Sequence, residues 1–275
     1  MQGKYFTVEV KPEIRADDPG ISDGTATNDD VLFSWTPFEV PRGSSRLLGV
    51  TVRVAGTDGV KQETDFQLFF AKSANYSGVL NNNPIHIGGW STTPVTVPSK
   101  NEHLGSIKIN TQDYLCQSTP GMSVASTGNH VIGGQNSAPG NNVDMILTPS
   151  RNQAPYFYNN GTKVPITAGA DILWVAGIAC GTFDFASTVT TDLGGTLAVG
   201  ETVVHTDTKD ANLLFSPGDI IQELDNTIVG TVASIGSVTG TDCDITLESG
   251  IENTLADGVV LYHRNPITME LMFEK

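Results

Sequence analysis

The sequence predicts an all-β protein: a β-sandwich body of jelly-roll type, with a small β-barrel domain inserted before the last strand. Three observations carry that expectation. Hydrophobic residues make up 39 % and charged residues only 16 %, with 29 Gly and 14 Pro among abundant Thr, Ser, Val and Asn. This mix favours strands joined by turns. Apolar residues recur with period two in several stretches, and no long segment shows them at helical spacing. Finally, the acids crowd into one tract, after which a cleanly alternating strand closes the chain.

Taken in order, Lys4–Val10 alternates, with Phe6, Val8 and Val10 on one side, and Lys11-Pro12 ends it. Glu13–Asp30 is polar and rich in Asp, Gly and Thr, and reads as a long exposed arm. Val31–Val40 resumes as a strand that Pro37 breaks. After the turn at Pro41–Ser45, Arg46–Ala55 is the clearest strand of the first half, with Val50, Val52 and Val54 facing one way. Gly56–Gly59 turns the chain into Asp65–Ala71, whose Phe66, Leu68 and Phe70 face the core. Ser73–Lys100 is irregular and holds Trp90, which either anchors a contact surface or pins the loop onto the core. Leu104–Asn110 and Val143–Thr148 read as strands, with a Gly/Ser/Asn-rich loop, Ser118–Asn142, between them.

Tyr156, Phe157 and Tyr158 cluster before an Asn-Gly turn. Ala170–Phe185 is the most apolar run. Its blurred alternation predicts a central strand covered on both faces. The tract that follows differs. Short strands are expected at Glu201–His205, Ile228–Ile235, Cys243–Leu247 and Val259–Tyr262. A short helix is expected over Asp207–Phe215, with Leu213, Leu214 and Phe215 inward. Turns at Gly194-Gly195, Pro217-Gly218-Asp219 and Asp257-Gly258 complete the pattern of a small barrel. Asn265–Lys275 then alternates again, and Ile267, Met269, Leu271 and Phe273 should face the core of the early strands. The domain expectation is therefore a body of 1–184 plus 265–275 and an inserted domain of 185–264.

Charge sharpens that division. From Phe183 to Arg264 thirteen acids face two bases, Lys209 and Arg264, which is −11 of the chain's formal −15. The rest of the chain is nearly neutral. Such an acidic lobe stays solvated and repels its neighbours, so the body is the part suited to packing against other chains. The balance speaks against a nucleic-acid partner and against an anionic membrane surface. No run is apolar enough for a membrane span, and MQGKYFTVEV reads as a strand, not a signal peptide. The expectation is a soluble protein made in the cytoplasm.

No chemistry announces itself. Cys116, Cys180 and Cys243 are odd in number and widely spaced, so no disulfide framework is implied. Cys180 is expected to be buried and inert. His86, His103, His130, His205 and His263 are not at ligand spacing. Asp17-Asp18, Asp29-Asp30 and Asp242/Asp244 miss the calcium-loop pattern. No nucleophile elbow, phosphate loop or dinucleotide fingerprint is present. The expectation is a protein without cofactor, metal or catalytic residues, whose contact candidates are Trp90, Tyr156, Phe157 and Tyr158.

Within the acidic tract, Phe215-Ser216-Pro217-Gly218-Asp219-Ile220-Ile221 precedes Ile228-Val229-Gly230-Thr231-Val232-Ala233-Ser234-Ile235, then Ile245-Thr246-Leu247-Glu248 and Asp257 to Tyr262. These roughly fifty residues resemble a small β module that recurs in structural proteins of tailed bacteriophages. The Gly/Asn/Thr-rich style of the body is similar to capsid decoration proteins and to tail components. The resemblance implies a decoration or cement protein on the capsid exterior. Its partners would be the major capsid protein or other virion proteins, and it would be a homo-oligomeric trimer or dimer. Other readings are a tail, collar or baseplate component, or a carbohydrate- or receptor-binding β-sandwich in which Trp90 and the Tyr156–Tyr158 aromatics stack on sugar.

Overall fold

The computed structural model describes residues 4–14, 21–22, 24–56, 61–72, 102–115, 122–128, 144–150, 153, 155–159, 162–185, 187, 189–207, 211–240 and 242–275. In chain order the strands are β1 (Tyr5–Val10), β2 (Ile21–Ser22), β3 (Thr25–Ala26), β4 (Val31–Pro41), β5 (Ser45–Ala55), β6 (Phe66–Lys72), β7 (Glu102–Ile109), β8 (Met122–Gly128), β9 (Met145–Leu147), β10 (Tyr156–Asn159), β11 (Thr162–Pro165), β12 (Ala170–Ala179) and β13 (Phe183–Asp184). There follow β14 (Val203–Thr206), the single-turn helix α1 (Ala211–Leu214), β15 (Ile220–Gln222), β16 (Ile228–Ile235), β17 (Cys243–Leu247), β18 (Tyr262–His263) and β19 (Ile267–Glu274).

Two antiparallel sheets make the body, ordered β1-β19-β5-β8 and β4-β12-β6-β7, with β9 beside the start of β5. Lettering the eight long strands B to I along the chain gives B-I-D-G facing C-H-E-F. That is the interleaving of two Greek keys that defines a jelly roll. The inner faces supply one core. Leu47, Val50, Val52, Val54, Met269, Leu271 and Phe273 come from the first sheet, and Phe33, Phe38, Phe66, Leu68, Phe70, Leu173 and Val175 from the second. An aromatic chain crosses it: Phe6 stacks on Phe273 at 5.2 Å, Phe273 meets Phe38 at 6.3 Å, and Phe38 meets Phe70 edge-on at 6.4 Å.

The barrel sits on the H–I connection. Its sheet runs β14-β17-β16-β15-β18. Isolated bridges Thr191–Thr206 and Thr190–Val260 join the incoming chain to the end of β14 and to the segment just before β18. Val204, Phe215, Ile221, Val232, Ile245, Leu247 and Leu261 belong to a second core that shares no residue with the first. The Pro217-Gly218-Asp219 turn works through its geometry. Gly218 takes a φ of 93°, and the Asp219 carboxylate accepts the Ser216 N–H at 2.7 Å.

The structure corrects several local expectations. β4 runs unbroken through Pro37, which sits opposite Trp174 of β12, because β4 is the edge strand of its sheet, where a residue without an N–H is tolerated. Glu13–Asp30 is not a free arm: β2 and β3 form a hairpin against β13, and Ile14 and Ala26 are buried in the body core. Met122–Gly128 lies inside the expected Ser118–Asn142 loop, yet it is the G strand. It pairs with β5 from Ala55–Met122 to Gly49–Gly128. The apolar run Ala170–Phe185 ends as a strand at Ala179. The expected helix shrinks to one turn, with Leu213 on the surface instead of in the core.

Candidate functional site

The two outer faces of the sandwich differ. On the B-I-D-G sheet, side chains opposite the core are polar: Arg46 forks onto Asp144 and reaches Glu274 at 3.5 Å, and Arg53 meets Glu270 at 3.0 Å. On the C-H-E-F sheet they are apolar, and the chain covers them itself. Ile172, Trp174 and Ala176 of β12 cluster with Val31, Trp35, Ala71 and Phe157, and Phe69, Val164 and Ile166 pack around them. The cover is the β10–β11 hairpin. Among the described residues, neither Trp35 nor Trp174 finds a hydrogen-bond partner for its buried indole N–H. An unmade buried donor costs on the order of 1–3 kcal/mol, which the packing of this face must offset.

This hairpin carries the aromatic contact candidates. Phe157 is buried and meets Trp174 edge-to-face at 6.1 Å, so it is a packing residue and presents no ring to a partner. Tyr156 is half-buried, with the Lys163 ammonium 3.9 Å above its ring. Trp90 and the side chain of Tyr158 lie outside the described residues.

At one end of the sandwich a cleft of roughly 730 Å³ opens between the β4–β5 turn, the segment after β9 and the β11–β12 turn. Its groups are mostly engaged. Asp171 accepts the Gly43 N–H at 2.9 Å and faces Arg42 Nε at 3.8 Å, and Ser44 and Thr148 share a hydroxyl bond at 3.0 Å. Gln153 uses its amide like a neighbouring strand, giving to the Ile172 carbonyl and accepting its N–H, both at 2.8 Å. No aromatic side chain lines this cleft among the described residues.

A second groove, roughly 640 Å³, separates body from barrel. Its floor is the outer B-I-D-G face (Glu9, Arg53, Met122, Thr268), and its wall is the barrel from Leu213 to Asp219 with His263. Met122 and Leu213 are about equally exposed here, at 43 % and 42 %. Below it lies the junction. Gln222 is almost fully buried, donates to the Ile14 carbonyl at 3.0 Å and accepts from Arg264 Nη1 at 2.9 Å. Arg264 Nη2 meets Glu13 at 2.7 Å. These residues escape sequence reading because each pair joins distant parts of the chain. The one signal was Arg264 itself, an isolated base in an acidic tract.

Among the described residues two His–Asp pairs occur, and neither is built as a proton relay. His263 has both ring nitrogens engaged: Nε2 faces Asp219 at 3.2 Å, and Nδ1 accepts the Asn265 N–H at 3.0 Å. No nitrogen is left to take a proton from a nucleophile. His205 meets Asp244 at 2.7 Å across β14 and β17, on an exposed face. Burial pushes the thiols of half-buried Cys180 and buried Cys243 up, away from the reactive thiolate. Among the described residues no three His, Cys, Asp or Glu side chains converge to hold a metal ion.

No family model matches the chain, and no curated protein matches it. Alignment to solved structures gives the VP1 pentamer of Human Polyomavirus 6 at 9 % identity, covering 99 % of this chain and 94 % of that one, with a TM-score of 0.20. VP1 of trichodysplasia spinulosa-associated polyomavirus aligns at 9 % identity over 99 % and 95 %, TM-score 0.20. Latent PorU from Porphyromonas gingivalis aligns at 9 % identity over 96 % of this chain and 20 % of that one, TM-score 0.14. Scores at this level carry no argument. The jelly roll is assigned from its own strand order.

Proposed function

We propose that this chain is a virion structural protein: a decoration or cement protein that binds the exterior of a tailed-phage capsid and stabilises it. The observation that carries the reading is a jelly roll whose charge is carried out onto a barrel on the H–I connection. Jelly rolls serve viral shells and lectins alike, so the fold by itself does not choose. The charge placement favours the shell. A near-neutral sandwich packs against the major capsid protein, while the acidic barrel points outward and keeps neighbouring particles apart. On this reading the protein is not an enzyme, and it assembles as a closed dimer or trimer on the lattice.

The lectin reading is weaker, because the polar cleft offers no aromatic platform and Phe157 is turned inward. A tail, collar or baseplate role would use the same modules, and copy number separates it from the capsid. Purified protein should co-sediment with emptied or expanded capsids, and virions should hold on the order of hundreds of copies, as lattice symmetry requires. Binding to tails alone, or a handful of copies per virion, overturns the capsid placement.

A further inference from the structure

The barrel joins the body by two covalent threads, one after β13 and one before β19. Two threads alone leave a hinge. A third connection closes it, and it is made by the strap that follows β1. Ile14 places its side chain in the body core, yet both its backbone polar groups are satisfied from the barrel's side: its N–H donates to the Arg264 carbonyl at 2.9 Å, and its carbonyl accepts from Gln222 at 3.0 Å. Glu13 holds the Arg264 guanidinium, which Gln222 also engages. Asn265 Nδ2 donates to the carbonyl of Pro12 at 2.9 Å and of Lys11 at 3.3 Å. The Arg264 N–H in turn donates to Ile220 at 2.9 Å, tying the network into the barrel's own sheet.

We propose that Lys11–Ile14 is a latch that fixes the acidic barrel to the jelly roll at one angle. Its release turns the barrel into a swinging lobe while both cores stay folded. The two cores share no residue, and Ile14 belongs to the body core alone, so release parts the strap from the barrel while Ile14 stays packed in the body. The Gln222–Ile14 bond is buried and the Glu13–Arg264 pair is charge-assisted, so these two are costly to leave half-broken. Locked, the acidic surface projects in one direction from every copy. Released, it samples a cone. This inference stands whether the body binds a capsid, a tail or neither.

The test is backbone NMR relaxation and amide exchange on the full chain. In the wild type, β5 and β17 should report one common tumbling time, and the Ile14 and Arg264 amides should be protected. In the double variant Gln222→Ala/Arg264→Ala, the apparent tumbling time of β17 should fall to about half that of β5, as expected for a lobe reorienting on its own. The Ile14 amide should exchange at least about tenfold faster, while the Val52 and Ile245 amides keep their protection. Asn265→Ala removes the Lys11 and Pro12 bonds without opening a buried charge. It decides the matter by the same readouts if the double variant does not fold. Separate tumbling times in the wild type, or a common one with Ile14 still protected in the folded variant, overturns the latch.

Discussion

Gly177 is the position where the sandwich has least tolerance. It lies on β12 opposite Phe33 of β4, where the register slips on both sides of the pair. A Cβ added there would stand 2.3, 2.7 and 2.8 Å from three atoms of the Phe33 ring. Carbon atoms in contact want about 3.5–4.0 Å, so the ring must retreat by about 1.2 Å. It has nowhere to go, because Phe33 is packed in the body core. Overpacking of this kind costs about 1–3 kcal/mol, and the lost flexibility of glycine returns only about 0.5–1 kcal/mol. Gly177→Ala should therefore destabilise the body by about 1–2 kcal/mol, or about 2–8 °C in Tm. Urea titration followed by tryptophan fluorescence isolates this effect, because Trp35, Trp90 and Trp174 all precede the barrel tract and none lies within it. Phe33→Leu in the same chain should recover at least about 1 kcal/mol of the loss. A neutral Gly177→Ala, or costs that simply add in the double variant, would refute the account of the bulge.

Other outcomes follow from the same structure. Phe157→Ala removes the ring that packs on Trp174, and should cost about 3–4 kcal/mol and expose the β10–β11 amides to exchange before those of β12. For Asp65, partial burial pushes its pKa up but is outweighed by the bonds from Lys108 and Thr111, so the net shift is downward. A depressed folded pKa means its contribution is complete above the unfolded value near ~3.9 and fades as pH falls through the folded value. Asp65→Asn should therefore cost about 1 kcal/mol at pH 7, and its stability should fall less steeply than the wild type's below about pH 4. Replacing 187–264 by a Gly/Ser bridge keeps Phe183 and Phe185 in the body core and removes twelve acids and two bases. The product should be soluble, with wild-type tryptophan emission and weaker retention on an anion exchanger. Failure to refold would count against two separately folding units.

What was legible in the sequence was whatever burial writes with period two. The alternation in β5, β6 and β19 pointed to Val50, Val52, Val54, Phe66, Leu68, Phe70, Ile267, Met269, Leu271 and Phe273 as inward residues, and all of them are in the core. The two-sided burial of β12 was likewise visible, because a central strand beneath a covering hairpin has no face that needs water. The G strand was not legible. Met122–Gly128 buries Ser123, Ala125 and Thr127 against Val54, Val52 and Val50, and its small polar residues look like loop unless the partner strand is known. Pro37 misled for a related reason: its cost depends on whether its strand has a neighbour on the side of the missing donor.

The contact candidates show the same boundary. A Tyr-Phe-Tyr run announces large rings without saying which way they turn. Phe157 turned inward because the C-H-E-F sheet exposes Trp174 and Ile172 on its outer side, and only a hairpin arriving from elsewhere in the chain could cover them. The groups that mount the barrel, Glu13, Ile14, Gln222, Arg264 and Asn265, meet across as much as 253 residues of chain. The sequence by itself determined the β architecture, the position of the acidic tract and most of the core, because those follow from local pattern and composition. Only the tertiary structure decided which aromatic rings remain at the surface and how the barrel is held. Hydrogen bonds and ring contacts between distant segments obey no periodicity that a linear reading can detect.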